Sequence, residues 1–205
     1  MTPSSVFVTG TGTGVGKTVV SALLTLAFGA DYWKPVQSGH EDGGDRAAVA
    51  QMTGFESGRI HPCAYELSQP LSPHEAAKRD GVSLDLHRLC ALPATQRPLV
   101  VEGAGGVLVP LTETFLMIDL IQRLGLPVVL VAASSLGTIN HTLLSLEALR
   151  HRDIPVLGVI MNGPLNPANR EAVEHFGRVS VLAEIPPLAP LSPETLAHAA
   201  KEFIT

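Results

Sequence analysis

The chain is poor in cysteine and aromatic residues, carries no excess of basic charge and contains no long apolar run. Its 205 residues include two cysteines, Cys63 and Cys90. They form no C-x-x-C pair and no metal-ligand spacing, which excludes a disulfide framework and a zinc site and predicts two reduced thiols in a cytoplasmic protein. Aromatic residues make up 4% of the chain. Aliphatic residues dominate instead, which suits a buried parallel sheet under helices better than an antiparallel sandwich. The formal net charge is −5, and no Lys/Arg run occurs, so nothing supports a nucleic-acid or anionic-membrane surface. No apolar stretch approaches the length of a membrane span, and the N-terminus leads almost directly into a strand without the regions of a secretory leader. The length suits one domain, residues 1–205, with a sizeable core.

What is present begins with Val6 to Val20. Val6, Phe7 and Val8 are a short β-prone run. Gly10, Gly12, Gly14 and Gly16 let the backbone curl with its N–H groups facing inward, and Lys17 and Thr18 open a helix through Leu26. Such a nest of N–H groups at a positive helix end attracts phosphate. Lys17 can reach terminal phosphates and the Thr18 hydroxyl can ligate Mg2+. The usual spacing G-x-x-x-x-G-K-[ST] puts a glycine where this chain has Thr11, flanked by Gly10 and Gly12. The strand–loop–helix context still predicts binding of a nucleoside triphosphate.

Three later positions carry charge in places where a structural role alone would not require it. Tyr32 to Val36 reads as a short strand, with Lys34 projecting from its carboxyl end, where open α/β sheets place their ligands; a lysine snorkelling at a sheet edge is the plainer reading. Asp45 follows a polar loop and stands at the expected N-cap of a helix over Ala47–Met52. It could serve as a carboxylate facing the glycine-rich loop as well. Leu99, Val100 and Val101 form a buried strand ending in Glu102, the position from which P-loop proteins reach Mg2+, and Gly103-Ala104-Gly105-Gly106 allows close approach of backbone to ligand.

The remainder alternates between strand and helix patterns. Residues 54–97 are the least informative, with helices expected over Pro73–Lys78 and Ser83–Leu92, and with His61, His74 and His87 read as surface or satisfied histidines. An extended excursion at Val107–Leu111 leads to a helix within Thr112–Leu124. Strands follow at Pro127–Ala132, Pro155–Met161 and Val179–Ile185. Helices follow at Thr142–His151, 168–177 and Glu194–Ile204. Thr138 or Asn140 either caps the first of these helices or marks an anion site at its start. The pattern predicts an α/β fold, a P-loop NTPase whose mostly parallel sheet has helices on both faces.

Taken in order, Gly10 to Thr18, Lys34-Pro-Val-Gln-Ser-Gly39, Val101-Glu-Gly-Ala-Gly-Gly106, Leu136-Gly-Thr-Ile-Asn-His141 and Glu184-Ile-Pro186 resemble the dethiobiotin synthetase family over nearly the whole chain. The resemblance implies ATP- and Mg2+-dependent carboxylation of 7,8-diaminononanoate with CO2, then ring closure to dethiobiotin through a carbamate and a carbamic-phosphoric anhydride. It implies that Lys17 and Lys34 act on the reacting anions and that Thr18, Asp45 and Glu102 hold the metal, Asp45 being preferred to Asp42 by its place before the helix. Backbone groups of Gly14, Val15, Gly16, Lys17, Thr18 and Val19 would bind phosphates, with Gly103, Ala104 and Gly105 lining the site. Asn162 with Gly163 would read the adenine, and Pro186, Pro187, Leu188 and Glu194 would surround base and ribose. Thr13 and Ser38 would position carbamate or diamine. Gly137, Thr138 and Asn140 would come from the second subunit of a homodimer and bind the substrate's distal carboxylate. Ser135 stands where some family members have Lys.

Two other classes share parts of this pattern. Partitioning-type regulatory ATPases carry an additional lysine early in the loop, where this chain has Thr11 and Gly12, and the segment from Glu194 lacks the basic amphipathic character of a membrane-targeting helix. Amide synthases of the cobyrinate type need an ammonia source, usually from a glutaminase domain with a nucleophilic cysteine, for which this chain has neither the length nor a suitable Cys63 or Cys90.

Overall fold

The structure, a computed structural model, describes residues 5–39, 43–56 and 58–201. The Val6-Phe-Val run becomes β1 (Val6–Gly10), buried at every position, and the glycine-rich turn feeds α1 (Lys17–Ala27). Then follow β2 (Asp31–Trp33), β3 (Val36–Ser38), α2 (Gly44–Thr53), β4 (Tyr65–Leu67), α3 (Pro73–Asp80), α4 (Leu86–Leu89), β5 (Leu99–Gly106), α5 (Met117–Leu124), β6 (Val128–Ala133), α6 (Thr138–His151), β7 (Val156–Asn162), α7 (Pro167–Gly177), β8 (Val181–Ile185) and α8 (Pro193–Ala200). Among the described residues no helix is long and apolar enough to cross a membrane.

Among the described residues six strands form one sheet in the order β2-β5-β1-β6-β7-β8, and every pairing is parallel. Alternation along the strands divides the core between the two faces. Phe7, Val101, Leu130 and Val159 face α5, α6 and α7, whose Ile118, Ile121, Leu146 and Val173 are buried against them. Val6, Val8, Val100, Val129 and Ile160 face α1, α2 and α8, packing with Leu23, Leu24, Val49 and Leu196. Each fully buried aliphatic side chain contributes about 1.5–3 kcal/mol, so the sheet sandwiched on both faces is the main source of stability. The chain turns from β1 towards β2 on one side and later towards β6 on the other. This opens a crevice at the carboxyl end of β1, where such sheets bind ligands.

Several element boundaries depart from expectation. The Tyr32–Val36 strand is in fact two. Trp33 pairs with Val101 in the main sheet, whereas Val36 pairs with Tyr65 in a separate two-stranded parallel sheet. Pro35, which has no N–H to donate, separates them, and the break leaves Lys34 at the point where the chain changes sheets. Asp45 is not the N-cap of α2: Gly43 caps it in a left-handed conformation without a side-chain hydrogen bond, and Asp45 lies in the first turn. The Ser83–Leu92 helix contracts to Leu86–Leu89, since Asp85 is its N-cap and accepts from the His87 N–H. Helix α6 begins at Thr138 rather than Thr142, with Gly137 as its N-cap, so Thr138 and Asn140 sit inside its first turn instead of capping it. His74 is not fully satisfied, its Nδ1 being buried with no hydrogen-bond partner among the described residues. Asp42 and the end of the helix expected through Ile204 lie outside the described residues.

Candidate functional site

The crevice holds a cavity of about 740 Å³ lined by the glycine-rich loop, and a second cavity of about 440 Å³ lies between the end of β8 and α8. Gly16 is the residue that the loop cannot replace. Its φ is +95°, and a Cβ there would stand 2.2 Å from the Asn162 Nδ2. It is also the N-cap of α1 and has no side chain to satisfy the helix's first N–H groups, which leaves them free for an anion. The Lys17 Nζ reaches back across the loop and donates to the Gly12 carbonyl at 2.9 Å. Burial pushes the Lys17 ammonium down to about 8, the Lys34 charge pushes in the same direction, and Glu102 and Asp45 oppose them.

The larger cavity gathers residues from five elements, α1, β3, α2, α3 and β5, and the loops between them. Thr13, Gly14, Gly16, Lys17, Thr18, Val19, Lys34, Ser38, Asp45, Glu102, Ala104 and Gly105 all line it. The Thr18 Oγ1 is 3.0 Å from the Asp45 Oδ1 and 3.2 Å from the Glu102 Oε1. One hydroxyl proton therefore faces two carboxylate oxygens, and two carboxylates beside a hydroxyl form an oxygen donor set of the kind that suits a hard cation. Among the described residues no cluster of three or more His, Cys, Asp or Glu side chains could hold a metal by itself. Mg2+ needs no such cage, because it keeps waters and takes phosphate oxygens as ligands.

Lys34 is buried and does not snorkel. Its Nζ is 2.9 Å from the Asp45 Oδ2 and 3.1 Å from the Glu102 Oε1, and it donates to the Gly103 carbonyl at 3.2 Å. Burial would lower its pKa, but the charges of Glu102 and Asp45 and their hydrogen bonds outweigh this and raise it. For Asp45, burial pushes up and is outweighed by Lys34, Thr18 and Lys17, so its carboxyl is held below the usual range. The Ser38 Oγ is buried without a hydrogen-bond partner among the described residues. A polar atom left in this way at a cavity wall is available to a ligand. Gly103 lies behind the lining: a Cβ there would come within 2.9 Å of the Phe7 ring.

The remaining expected residues divide between the second cavity and the start of α6, where Gly137 and Asn140 are exposed and Thr138 is buried. Pro186, Leu188 and Glu194 line the smaller cavity together with Ala183, Glu184, Ile185, Thr195, His198 and Ala199, whereas Pro187 is exposed beside it. Asn162 joins the two halves, since its Nδ2 donates to the Val15 carbonyl at 3.2 Å and the next residue, Gly163, donates its N–H to the Ile185 carbonyl at 2.9 Å. Val15 itself packs into the core. Gly137, Thr138 and Asn140 line neither cavity. A third groove of about 420 Å³ runs from Thr13 past Val109 to His141 on α6.

Three features of the site were not visible in the sequence. The Tyr32 hydroxyl donates to the Glu102 Oε2 at 3.0 Å from a fully buried ring. Burial, and then the Glu102 charge, raise its pKa well above that of an ordinary phenol. The Gln37 side chain donates to the Gly39 carbonyl at 2.8 Å and accepts the Asp45 backbone N–H at 3.2 Å. Pro70, Leu71, Ser72 and Pro73 form a wall of the larger cavity. For Tyr32 one signal was available: it stands two residues before Lys34, a spacing that puts both side chains on one side of an extended chain.

Comparison with known proteins places this geometry among relatives. A family model described as an AAA domain matches residues 4–195. The chain is 59% identical over 192 residues to an ATP-dependent dethiobiotin synthetase BioD of Paramagnetospirillum magneticum, covering 94% of this chain and 92% of that one. It is 50% identical over 198 residues to a protein of the same name from Afipia carboxidovorans, covering 97% and 93%. It also matches a biotin biosynthesis bifunctional protein BioCD of Bordetella avium at 62% identity, over 91% of this chain and 40% of that longer protein. Among solved structures, a ParA family ATPase from Chlorobium tepidum is similar with a TM-score of 0.60 at 12% identity, covering 98% and 99%. That likeness establishes the fold alone.

Proposed function

The chain belongs to the ATP-dependent dethiobiotin synthetase family, and from that premise we propose that it closes the ureido ring of dethiobiotin from 7,8-diaminononanoate, CO2 and ATP. The observation that carries this reading is the pairing of two buried lysines, Lys17 and Lys34, in one cavity with the glycine-rich loop and the orphaned Ser38 hydroxyl. A nucleotide hydrolase needs the loop and its lysine. A second buried cation beside them suits a reaction that brings two anions together.

The chemistry runs in three steps. A substrate amine adds its lone pair to CO2 and loses a proton, which gives a carbamate. A carbamate oxygen attacks the γ-phosphorus of ATP and ADP leaves. The second amine attacks the carbamoyl carbon, loses its proton and expels phosphate as the ring closes. Carbamate and γ-phosphate repel one another, so the residues that accelerate the middle step are those aimed at the charge both develop. Lys17 would neutralise the terminal phosphates and Lys34 the approaching carbamate, with Thr13 and Ser38 orienting the carbamate or diamine. Thr18, Asp45 and Glu102 would hold Mg2+, directly or through water, and the ion supplies neutralisation of the phosphate charge. Lys34 now holds both carboxylates, so binding of Mg2+ and ATP would release its ammonium towards the substrate.

Recognition follows the same division of the crevice. The smaller cavity would take the adenine, with Asn162 and Gly163 reading its edge and Pro186, Pro187, Leu188 and Glu194 around base and ribose. Gly137, Thr138 and Asn140 lie apart from both cavities, which supports their service to a second subunit's site, through the α6 N-terminus, in a cytoplasmic homodimer of one-domain chains. The deciding assay measures phosphate release from ATP and Mg2+ in bicarbonate, with and without 7,8-diaminononanoate. Release that requires the diamine, with a product one water lighter than the carbamate, is expected. Release that ignores the diamine would assign the site to a partitioning-type ATPase instead.

A further inference from the structure

Glu102 is the most confined ionisable group of the cavity. Its side chain is fully buried, and its two oxygens have separate duties. The Oε1 faces the Thr18 hydroxyl at 3.2 Å and the Lys34 ammonium at 3.1 Å, whereas the Oε2 takes the Tyr32 hydroxyl at 3.0 Å. The carboxylate plane is free to turn about its last torsion unless something holds one oxygen. Tyr32 itself cannot drift. It pairs with Val100 in the sheet, donates its N–H to the Arg59 carbonyl and accepts the His61 N–H, both at 2.9 Å, and its ring lies in the core.

We infer that Tyr32 is a positioning residue that holds the Glu102 Oε2 away from the cavity and so presents the Oε1 to a bound divalent cation. This rests on the reading of Thr18, Asp45 and Glu102 as a cation site. Groups that hydrogen-bond a metal-ligating carboxylate typically govern affinity by about 10–100-fold. A tyrosine that served only to fill the core would leave cation affinity unchanged once the protein is folded, because phenylalanine fills the same space.

The test is Mn2+ binding to ADP-loaded protein, followed by the electron paramagnetic resonance signal of free Mn2+, in the unaltered chain and in Tyr32→Phe. The variant should bind ADP in EDTA as the unaltered chain does and bind Mn2+ about 10–100-fold more weakly. In a Glu102→Gln background, Tyr32→Phe should change Mn2+ affinity by less than about twofold, since the coupling is gone. Equal Mn2+ affinity in the unaltered chain and Tyr32→Phe would overturn the role of Tyr32 while leaving the cation site standing. No Mn2+ binding beyond that of ADP alone in the unaltered chain would overturn both. A second measurement leaves Tyr32 in place. The chain has two tyrosines, so Tyr65→Phe protein labelled with 3-fluorotyrosine reports Tyr32 alone. Its fluorine resonance should shift when Mg2+ is added to the ADP-loaded protein, and an unmoved resonance would overturn the inference.

Discussion

Burial acts on Lys17 and Lys34 in the same direction, yet their pKa values move apart. Lys17 falls to about 8 because desolvation and the neighbouring Lys34 charge prevail. Lys34 rises because Glu102 and Asp45 lie within 3.1 Å of its Nζ. Lys34→Ala should abolish ring closure, with a fall in kcat of at least about 100-fold, the scale of losing one preorganised donor. Its ATP dissociation constant should stay within about tenfold, as checked by calorimetry; equal loss of both would make Lys34 a nucleotide ligand. The same variant leaves Asp45 and Glu102 without their shared cation, so its melting temperature should fall as well. Gly16→Ala combines a left-handed φ with a Cβ 2.2 Å from the Asn162 Nδ2. It should cost about 1–3 kcal/mol of stability and remove detectable ATP binding, both measurable by a thermal melt with and without nucleotide. Lys17, Thr18 and Glu102 were legible because the loop and the Glu102 to Gly106 run are short contiguous motifs. Tyr32 and Gln37 were not, because each acts through a partner brought to it by the sheet.

At the scale of elements, the site depends on two anchors that have no motif. Helix α2 carries Asp45, and its Gly43 N-cap offers no side chain. Gln37 supplies the missing acceptor from the neighbouring strand, taking the Asp45 N–H at 3.2 Å. Gln37→Ala should raise the KM for Mg-ATP with a smaller change in kcat. It should also lower the melting temperature by about 2–4 °C, the value of one lost cap of roughly 1 kcal/mol. Strand β2 carries Tyr32 and leads into Lys34, and Asp31 ties its start to distant segments. The carboxylate accepts from the Thr95 hydroxyl at 2.6 Å and the Arg59 Nε at 3.2 Å, and His61 lies 3.4 Å away. Burial raises the Asp31 pKa, but Thr95, Arg59 and His61 outweigh it, so the carboxyl is held below its ordinary value of 3.8. Such a group contributes its full stability above the unfolded value and loses it as pH falls through the folded value. Asp31→Asn should therefore melt below the unaltered chain at about pH 7, with the gap closing as the pH drops below about 4. A gap that stays constant from neutral to acid pH would remove Asp31 as the clamp.

At the scale of the whole molecule, the proposed homodimer makes a prediction that mixing of subunits can check. Gly137, Thr138 and Asn140 begin α6 outside both cavities of their own chain. If each active site takes Lys34 from one subunit and Asn140 from the other, an equal mixture of Lys34→Ala and Asn140→Ala chains should recover about one quarter of the unaltered activity after subunit exchange, since half of the dimers then hold one intact site. No recovery would place both residues in the same subunit's site. The fold does not choose the chemistry here, for the ParA family ATPase shares it at 12% identity. What the chain determined by itself were the features that lie close together along it: the glycine-rich loop, the apolar strands and hence the parallel α/β class, and the acid after Val101, although β5 runs on past it to Gly106 instead of ending there. Tertiary structure decided how those pieces meet. Thr18, Lys34 and Tyr32 reach Glu102 across sequence separations of 84, 68 and 70 residues, and contacts between residues so far apart depend on sheet order and register rather than on any local pattern. The same holds for the broken strand at Pro35, because strand propensity alone does not say which neighbour a strand will pair with.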